Sequence, residues 1–445
     1  MLGPASSRVL YARGVTSTAL LTDRYELTML DAALRDGTGH RRSVFEVFSR
    51  RLSGGRRYGV LAGTGRVLDA VTRFRFGEPE LEWLAAEHVV SPATIDWLAD
   101  YRFSGSISGY REGELYFPNS PVLTVEGSFA EAVILETLIL SVLNADSAIA
   151  TAAARMVSAA HGRPLAEMGS RRTHERAAVS AARAAWIAGF AATSNLEAGR
   201  RWGVPTMGTA AHAFTLLHDS EEEAFRAQIE AMGADTTLLV DTYDVMTAVE
   251  TAVRLAGPEL GAVRIDSGDL PVVVQAVRAR LDELGATRTR ITVTNDLDEY
   301  AIAGLAASPV DSYGAGTRLV GGSGYPTAGF VFKLVERADD DGTMRPVAKK
   351  SVEKAGSGGR KWAFRRFEDG VAVEERVVVA DDEPTLADAR ALVVPLVVDG
   401  VPDPAHVGVE GVRNAREHHA RVLAELPPEA MRLSGGDTAI PTNLR

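Results

Sequence analysis

Apolar runs in this chain end repeatedly in polar or charged side chains. Residues 262–265 read Ala-Val-Arg-Ile and lead directly into Asp266, Ser267, Gly268 and Asp269. The same change of character follows other short runs, at residues 204–209, 237–240, 291–294 and 310–313. Such runs are typical of buried strands, and parallel α/β folds gather their chemistry at the carboxyl ends of their strands. We therefore expect functional side chains directly after these runs.

Segments with a helical pattern separate the runs, at residues 221–232, 243–255 and 270–284. Strands that alternate with helices pair in parallel, so the polar groups would converge on one rim. The fold class is predicted to be α/β, with a (β/α) barrel over residues 130–335. Strand-like and helix-like segments also lie outside the barrel, at residues 43–48, 106–110, 371–379 and 411–426. We expect residues 18–129 and 336–445 to be the N-terminal and C-terminal parts of one composite second domain.

Composition excludes several classes of protein. The chain has 445 residues, 46% of them hydrophobic and 24% charged, which fits a soluble globular protein. A formal net charge of -11 argues against a general partner for nucleic acid or an anionic membrane, so an anionic substrate would need local cations. The absence of cysteine excludes disulfides and thiolate nucleophiles.

The most apolar long stretch, residues 130–154, carries Glu131, Glu136 and Asp146. These acids favour a buried helix over a membrane span. The chain does not open with a basic segment followed by an apolar one, so we expect no secretory signal and a cytoplasmic location.

Lysine is confined to one region. Of 48 basic residues only five are lysine, at positions 333, 349, 350, 354 and 361. A compact ammonium group suits phosphate, so Lys354 and Lys361 are candidates to contact one. A surface hairpin that happens to carry lysines is the alternative, and the sequence does not separate the two.

His212 stands in the segment Gly-Thr-Ala-Ala-His-Ala-Phe, just after the run at 204–209. Asp241 follows the next run and would lie at the neighbouring strand end. A carboxylate there could orient the imidazole and stabilise its charged form, so that His212 acts as a nucleophile or phosphate carrier. A structural histidine is the alternative.

Acids, glycines and arginines supply the other candidates. Asp266 and Asp269 could accept sugar hydroxyls or hold magnesium, or serve as helix caps. Gly314, Gly316 and Thr317 belong to a glycine-rich loop whose backbone N–H groups could hold a phosphate, with a flexible turn as the alternative. The arginines beside these motifs could bind a carboxylate or a phosphate; they are Arg171, Arg172, Arg264 and Arg318.

Taken together, the motifs resemble nicotinate phosphoribosyltransferase. They occur in order over about residues 20–365: LLTDRYELTML, FEVFSRR, EMGSRRTHE, TSNLEAG, GTAAHAF, VDTYDV, RIDSGDL, TNDLDEY, YGAGTRL and GGRKWAFR. The resemblance implies an irregular α/β barrel joined to a domain built from both chain ends, working as a homodimer with sites at the interface. It also implies that nicotinate and phosphoribosyl pyrophosphate react to give nicotinate mononucleotide and pyrophosphate, aided by ATP hydrolysis and Mg²⁺.

The resemblance assigns roles to single residues. His212 matches the histidine phosphorylated from ATP, with Asp241 as its carboxylate neighbour, and Asp266 matches the ribose-binding acid. Tyr25 matches the aromatic residue that stacks on the pyridine ring from the partner subunit. Residues that match substrate-binding positions are Arg171 and Arg264, near the substrate carboxylate, ribose or phosphates, and Gly316 and Thr317 in the phosphate loop.

Ser194 stands where nicotinamide-using relatives have aspartate. A hydroxyl does not repel the nicotinate carboxylate, whereas an aspartate would favour an amide. Two positions depart from the family pattern: Met168 replaces a common phenylalanine, although a thioether can still contact an aromatic face, and Gly358 replaces a common proline.

Three other functions are compatible with parts of the pattern. A nicotinamide-using phosphoribosyltransferase is disfavoured by Ser194. A metal-dependent sugar-phosphate aldolase or isomerase would need a Schiff-base lysine or a cluster of metal ligands, and no lysine precedes Lys333. A non-catalytic binding protein is disfavoured because the histidine, the acids, the arginines and the glycine-rich loop occur together.

Overall fold

The computed structural model describes residues 16–349 and 357–445. Its strands are β1 (Arg42–Ser49), β2 (Gly59–Val60), β3 (Ser106–Tyr110), β4 (Leu115–Tyr116), β5 (Leu123–Ser128), β6 (Leu165–Glu167), β7 (Ala192–Thr193), β8 (Thr237–Leu239), β9 (Ala262–Ile265), β10 (Arg290–Val293), β11 (Ser312–Ala315), β12 (Phe330–Ala338), β13 (Met344–Pro346), β14 (Lys361–Glu368), β15 (Val371–Val379), β16 (Ala389–Ala391), β17 (Val393–Val398), β18 (Val401–Pro402) and β19 (Thr442–Leu444).

Its α-helices are α1 (Arg24–Asp36), α2 (Thr64–Thr72), α3 (Glu78–Ala86), α4 (Pro92–Ala99), α5 (Phe129–Val133), α6 (Glu136–Ala159), α7 (Glu175–Ile187), α8 (Leu196–Trp202), α9 (His212–Leu217), α10 (Glu221–Met232), α11 (Val245–Ala256), α12 (Leu270–Glu283), α13 (Glu299–Gly304), α14 (Thr317–Val320) and α15 (Gly408–Leu423). The mixed α/β fold class predicted from the alternation is confirmed.

A parallel sheet forms the wall of the barrel. Its strands lie in the order β7-β6-β11-β10-β9-β8, and every pair in it is parallel. The last strand in sequence, β11, pairs with the first, β6, so the sheet curls back on itself. Because all the pairs are parallel, the carboxyl ends of β6 to β11 meet on one side.

The strand predicted at residues 204–209 is wrong in extent. Only Thr206 bridges to the sheet, opposite Thr193, whose N–H and C=O bond the backbone of Pro205 and Met207. Pro205 has no N–H to donate, so the pairing cannot continue as a ladder. This single bridge leaves the barrel wall open between β7 and β8.

A seven-stranded sheet lies beside the barrel, in the order β13-β12-β1-β5-β3-β17-β18. It draws β1, β3 and β5 from before the barrel and the other four strands from after it. Its own apolar core includes Phe45, Val47, Ile107 and Leu396. Strands β14, β15 and β16, which lie between β13 and β17 in sequence, form a four-stranded sheet with β19, in the order β16-β14-β15-β19.

Helix α6 connects the two parts of the fold. The helical stretch Phe129–Ala159 is long and apolar enough to cross a membrane, but 67% of its most apolar window is buried inside the protein. It packs against α7 and α13 of the barrel and against β12 of the large sheet. These contacts make it a core helix, as the acids within it predicted.

Candidate active site

The end of β8 brings His212 and Asp241 together. His212 is the first residue of α9, and its Nε2 lies 3.8 Å from Asp241 Oδ1, while its Nδ1 lies 3.1 Å from the Thr242 hydroxyl. The Asp241 side chain is 2% exposed and that of His212 is 41% exposed. Protein groups therefore lie beside both ring nitrogens, while part of the imidazole stays exposed.

Asp241 also connects β8 to the loop after β9. Its Oδ2 accepts hydrogen bonds from the Asp266 N–H at 2.8 Å and from the Ser267 hydroxyl at 2.7 Å. Its Oδ1 is buried and has no hydrogen-bond partner in the described part of the chain. Asp241 is thus fixed by one oxygen and presents the other to His212.

Arg264 points from β9 across the mouth of the barrel. Its guanidinium donates to the hydroxyls of Thr294 and Thr209, at 2.9 Å each, and to Asp266 Oδ1 at 3.1 Å. Thr294 donates to the same Asp266 oxygen. Both side chains are thereby oriented before any ligand binds, which lowers the entropic cost of binding one.

Two glycines allow the loops after β6 and β11 to lie against each other. A Cβ at Gly314 would lie 2.7 Å from Met168 Sδ and 2.6 Å from Thr294 Cγ2, so a larger residue does not fit there. A Cβ at Gly316 would lie 3.1 Å from the Met168 carbonyl oxygen. Gly316 is the N-cap of the short helix α14, and Thr317 is the first residue of that helix. The packing of these loops therefore disfavours a larger residue at Gly314 and leaves little room for one at Gly316.

Ser194 and Arg171 extend the rim on the β6–β7 side. Ser194 is exposed at the end of β7, and its N–H donates to the Glu167 carbonyl at 2.8 Å. Arg171 is exposed in the loop after β6. Glu167 itself is buried and bonded to Thr193, and its burial raises the pKa of its carboxyl group. A hydroxyl and a cation thus lie at strand ends of the same sheet that carries Asp266.

A cavity of about 170 Å³ occupies the barrel interior. Met168 and Thr209 line it at the rim end, and the small side chains of Ala166, Ala192 and Ser312 line it further in. Met168 thus lies between the rim and this space, at the position where the sequence suggested contact with an aromatic ring.

The remaining predicted site residues differ in where they lie. Lys361 is 7% exposed, and its Nζ donates to Glu46 Oε2 at 2.8 Å and to the Gly359 carbonyl at 2.9 Å. Asp269 is exposed at the N-cap position of α12, without a side-chain capping bond. Lys354 lies outside the described residues.

Tyr25 lies on α1, beside Glu136 at the start of α6. Partial burial, with the negative charge of Glu136 next in importance, raises the pKa of its phenol to about 12. The residue is nevertheless 46% exposed. The polar groups that act on it belong to α1 and α6: Glu26, Glu136 and Thr137.

Sequence reasoning assigned no role to four hydroxyl residues of the site. Thr209, Thr242, Ser267 and Thr294 each hold a functional side chain in place. All four directly follow or end an apolar run, and that position was the available signal. Within residues 16–349 and 357–445 no group of three or more His, Asp or Glu side chains is arranged to hold a metal ion by itself.

Comparisons with known proteins agree on one family. Residues 20–144 match the model of the nicotinate phosphoribosyltransferase (NAPRTase) N-terminal domain. Nicotinate phosphoribosyltransferase pncB1 of Mycobacterium tuberculosis is 59% identical over 433 residues, which cover 95% of this chain and 94% of the relative. The nicotinate phosphoribosyltransferase of Bacillus subtilis is 37% identical over 361 residues, covering 78% and 73%.

A solved structure agrees with the sequence relatives. The crystal structure of human nicotinic acid phosphoribosyltransferase superposes with a TM-score of 0.80 at 25% identity, covering 96% of this chain and 97% of the human one. The similarity in sequence and in fold thus extends over nearly the whole chain. The chain belongs to the nicotinate phosphoribosyltransferase family.

Proposed function

We propose that this enzyme makes nicotinate mononucleotide and pyrophosphate from nicotinate and phosphoribosyl pyrophosphate, in NAD biosynthesis, and that ATP hydrolysis is coupled to the reaction through phosphorylation of His212. The observation that carries the ATP coupling is the contact between His212 and the buried, partly unpaired Asp241, directly beside the Asp266 and Arg264 cluster. A histidine with this support can take up a phosphoryl group next to the transfer site.

The two halves of the imidazole have different roles in this mechanism. Asp241 Oδ1, 3.8 Å from Nε2, stabilises positive charge on the ring. Nδ1, bonded to Thr242 in the free enzyme, attacks the γ-phosphorus of ATP. An N–P bond forms, the bond to the β–γ bridging oxygen breaks, and ADP leaves. Hydrolysis of the phosphohistidine then accompanies release of the products.

The transfer itself takes place around Asp266. The bond between ribose C1′ and the pyrophosphate oxygen breaks, and the nicotinate ring nitrogen forms the new bond to C1′. Asp266 Oδ2 accepts a hydrogen bond from a ribose hydroxyl, since Oδ1 already accepts hydrogen bonds from Arg264 and Thr294. Arg264, Arg171 and the backbone at Gly316 and Thr317 balance the negative charge of the phosphates.

Mg²⁺ would enter with the phosphates of ATP or phosphoribosyl pyrophosphate. Mg²⁺ commonly keeps several waters and uses only one or two carboxylates besides substrate phosphates, and Asp266 and Asp269 fit that need. When bound, the ion neutralises phosphate charge. Lys354 is proposed to contact the same anions.

Specificity for the acid substrate is assigned to Ser194. Its hydroxyl can donate to the nicotinate carboxylate without like-charge repulsion. A nicotinamide-using enzyme is the alternative within the same chemistry. A direct comparison of product formed from nicotinate, nicotinamide and quinolinate, each with phosphoribosyl pyrophosphate, separates these activities.

The active form is proposed to be a cytoplasmic homodimer in which Tyr25 of one subunit stacks on the pyridine ring bound by the other. Support comes from the position of Tyr25, which is half exposed on α1 and has its polar neighbours in α1 and α6. We also propose that residues 18–129 and 336–445 act as one composite domain that presents Tyr25.

The coupling is tested with His212→Ala. We expect this variant to lose stimulation by ATP and to keep a slow, ATP-independent transfer, because the phosphate carrier is gone but the Asp266 cluster is intact. Steady-state rates with and without ATP measure this. Incubation with γ-labelled ATP should leave an acid-labile, base-stable phosphate on the parent enzyme and none on the variant.

His40→Ala is the matched control, since His40 is exposed and far from the barrel in sequence. It should retain both ATP stimulation and labelling. Undiminished ATP stimulation in folded His212→Ala would remove His212 from the mechanism.

A further inference from the structure

Glu221, the first residue of α10, lies next to the His212 and Asp241 pair without having been given a role. Only three residues, His218 to Ser220, separate α9 from α10, and the two helices pack together. Helix α10 also packs against α11, whose N-cap is Asp244. Glu221 is thus placed between the helix that begins with His212 and the loop that carries Asp241.

Glu221 Oε1 is buried and has no hydrogen-bond partner in residues 16–349 and 357–445. Asp241 Oδ1 is likewise buried and has no hydrogen-bond partner within those residues. An ionised carboxylate oxygen only accepts hydrogen bonds, so two such oxygens in one region need a proton or a positive charge between them. Asp244 does not share this need, because its carboxylate accepts from the Thr247 N–H and hydroxyl.

The titration of Glu221 agrees with this placement. Burial, followed by the negative charges of Asp244 and Asp241, raises the pKa of Glu221 to about 7. The groups that face it are these two aspartates and, beyond Asp241, the imidazole of His212. Glu221 therefore holds a proton at slightly acid pH and is ionised at slightly alkaline pH.

We propose that Glu221 is a positioning residue that acts on His212 through Asp241, protonated while the imidazole is neutral and ionised when the imidazole gains positive charge. The proton leaves to solvent, because Glu221 is only half-buried. The ionised form adds a second negative charge near the ring as Nδ1 bonds to phosphorus. This inference rests on the proposed phosphorylation of His212.

The proposal gives a specific pH profile. Glu221→Gln keeps the shape of the protonated carboxyl but cannot ionise. We expect the ATP-coupled rate of the variant to equal that of the parent near pH 6, and to fall roughly threefold to tenfold below it near pH 8, because a charge interaction of this kind is worth up to about one pKa unit. The Michaelis constants for nicotinate and phosphoribosyl pyrophosphate should not change, since Glu221 contacts neither.

Glu222→Gln is the matched control. Glu222 is the next residue of the same helix, but its carboxylate pairs with Arg226 and Arg254 on the surface. The control should follow the parent profile at every pH. Glu221→Asp should restore part of the rise between pH 6 and pH 8.

A second measurement does not depend on activity. In enzyme labelled with ¹³C at the glutamate carboxyl groups, one resonance should titrate with a midpoint near pH 7, persist in Glu222→Gln and be missing from Glu221→Gln. A Glu221→Gln rate profile that superposes on the parent profile, or the absence of that resonance from the parent spectrum, would overturn the proposal. Failure of the underlying mechanism is recognised separately, by undiminished ATP stimulation in His212→Ala.

Discussion

The side chains of the rim are positioned by hydrogen bonds to one another as much as by the strands that carry them. Asp266 illustrates this, because one of its carboxylate oxygens is bonded to Arg264 and Thr294 while its backbone N–H is bonded to Asp241. A substitution at any of these positions disturbs the others. The energies of single substitutions here should therefore not add.

Ser194 is the residue at which substrate choice can be tested. In Ser194→Asp we expect kcat/KM for nicotinate to fall by an amount equivalent to about 1–3 kcal/mol, through repulsion between two carboxylates in a partly desolvated site. Ser194→Ala removes only the hydroxyl and should cost less. Initial rates over a range of nicotinate concentrations measure both. Parent-like kinetics in Ser194→Asp would place this side chain away from the ring.

At the scale of elements, Lys361 shows how the position of a residue in a strand can change the role expected of it. At the start of β14, its ammonium group is enclosed between β14 and β1 and paired with Glu46. A buried pair that loses one partner leaves a charge without compensation. The structure thus gives Lys361 a role in stability, where the clustering of lysines suggested contact with a phosphate.

Lys361→Met should lower the free energy of unfolding by about 3–5 kcal/mol, since Glu46 is left unpaired in the interior. The double variant Glu46→Gln with Lys361→Met should recover part of this loss, because no charge then remains. Urea denaturation measures all three proteins. Lys333→Met is the control: Lys333 is exposed on β12, and we expect a change below about 0.5 kcal/mol. If Lys361→Met left the stability unchanged and raised the Michaelis constant for ATP, Lys361 would instead contact the substrate.

Sequence patterns predicted elements well where residues close together in the chain determine the element. The helix at 221–232 and the strands at 106–110 and 371–379 have the predicted bounds, because periodicity and flanking turn residues determine them. A contact between two residues far apart in the chain leaves no such pattern in the sequence. The Glu46–Lys361 pair joins residues far apart in sequence, and the bond from Arg264 to Thr209 depends on how the barrel closes.

At the scale of the whole molecule, the shared site can be tested by mixing inactive subunits. Tyr25→Ala and Asp266→Asn would each inactivate a site, but from opposite subunits. Co-expressed with different tags, they should form hybrid dimers in which one of the two sites is intact, so the purified hybrid should have about half of the parental activity. Rate measurements on the purified hybrid provide the test. A hybrid as inactive as either variant alone would mean that Tyr25 serves its own subunit.

The seven-stranded sheet also affects the order in which the protein can fold. Strand β1 pairs with β12, which lies beyond the barrel sequence, and β3 pairs with β17, closer still to the C-terminus. During synthesis these early strands emerge long before their partners, so their edges stay open while the barrel segment is made. Open strand edges pair readily with other chains. Productive folding of this enzyme therefore depends on protecting β1 and β3 until the last quarter of the chain arrives.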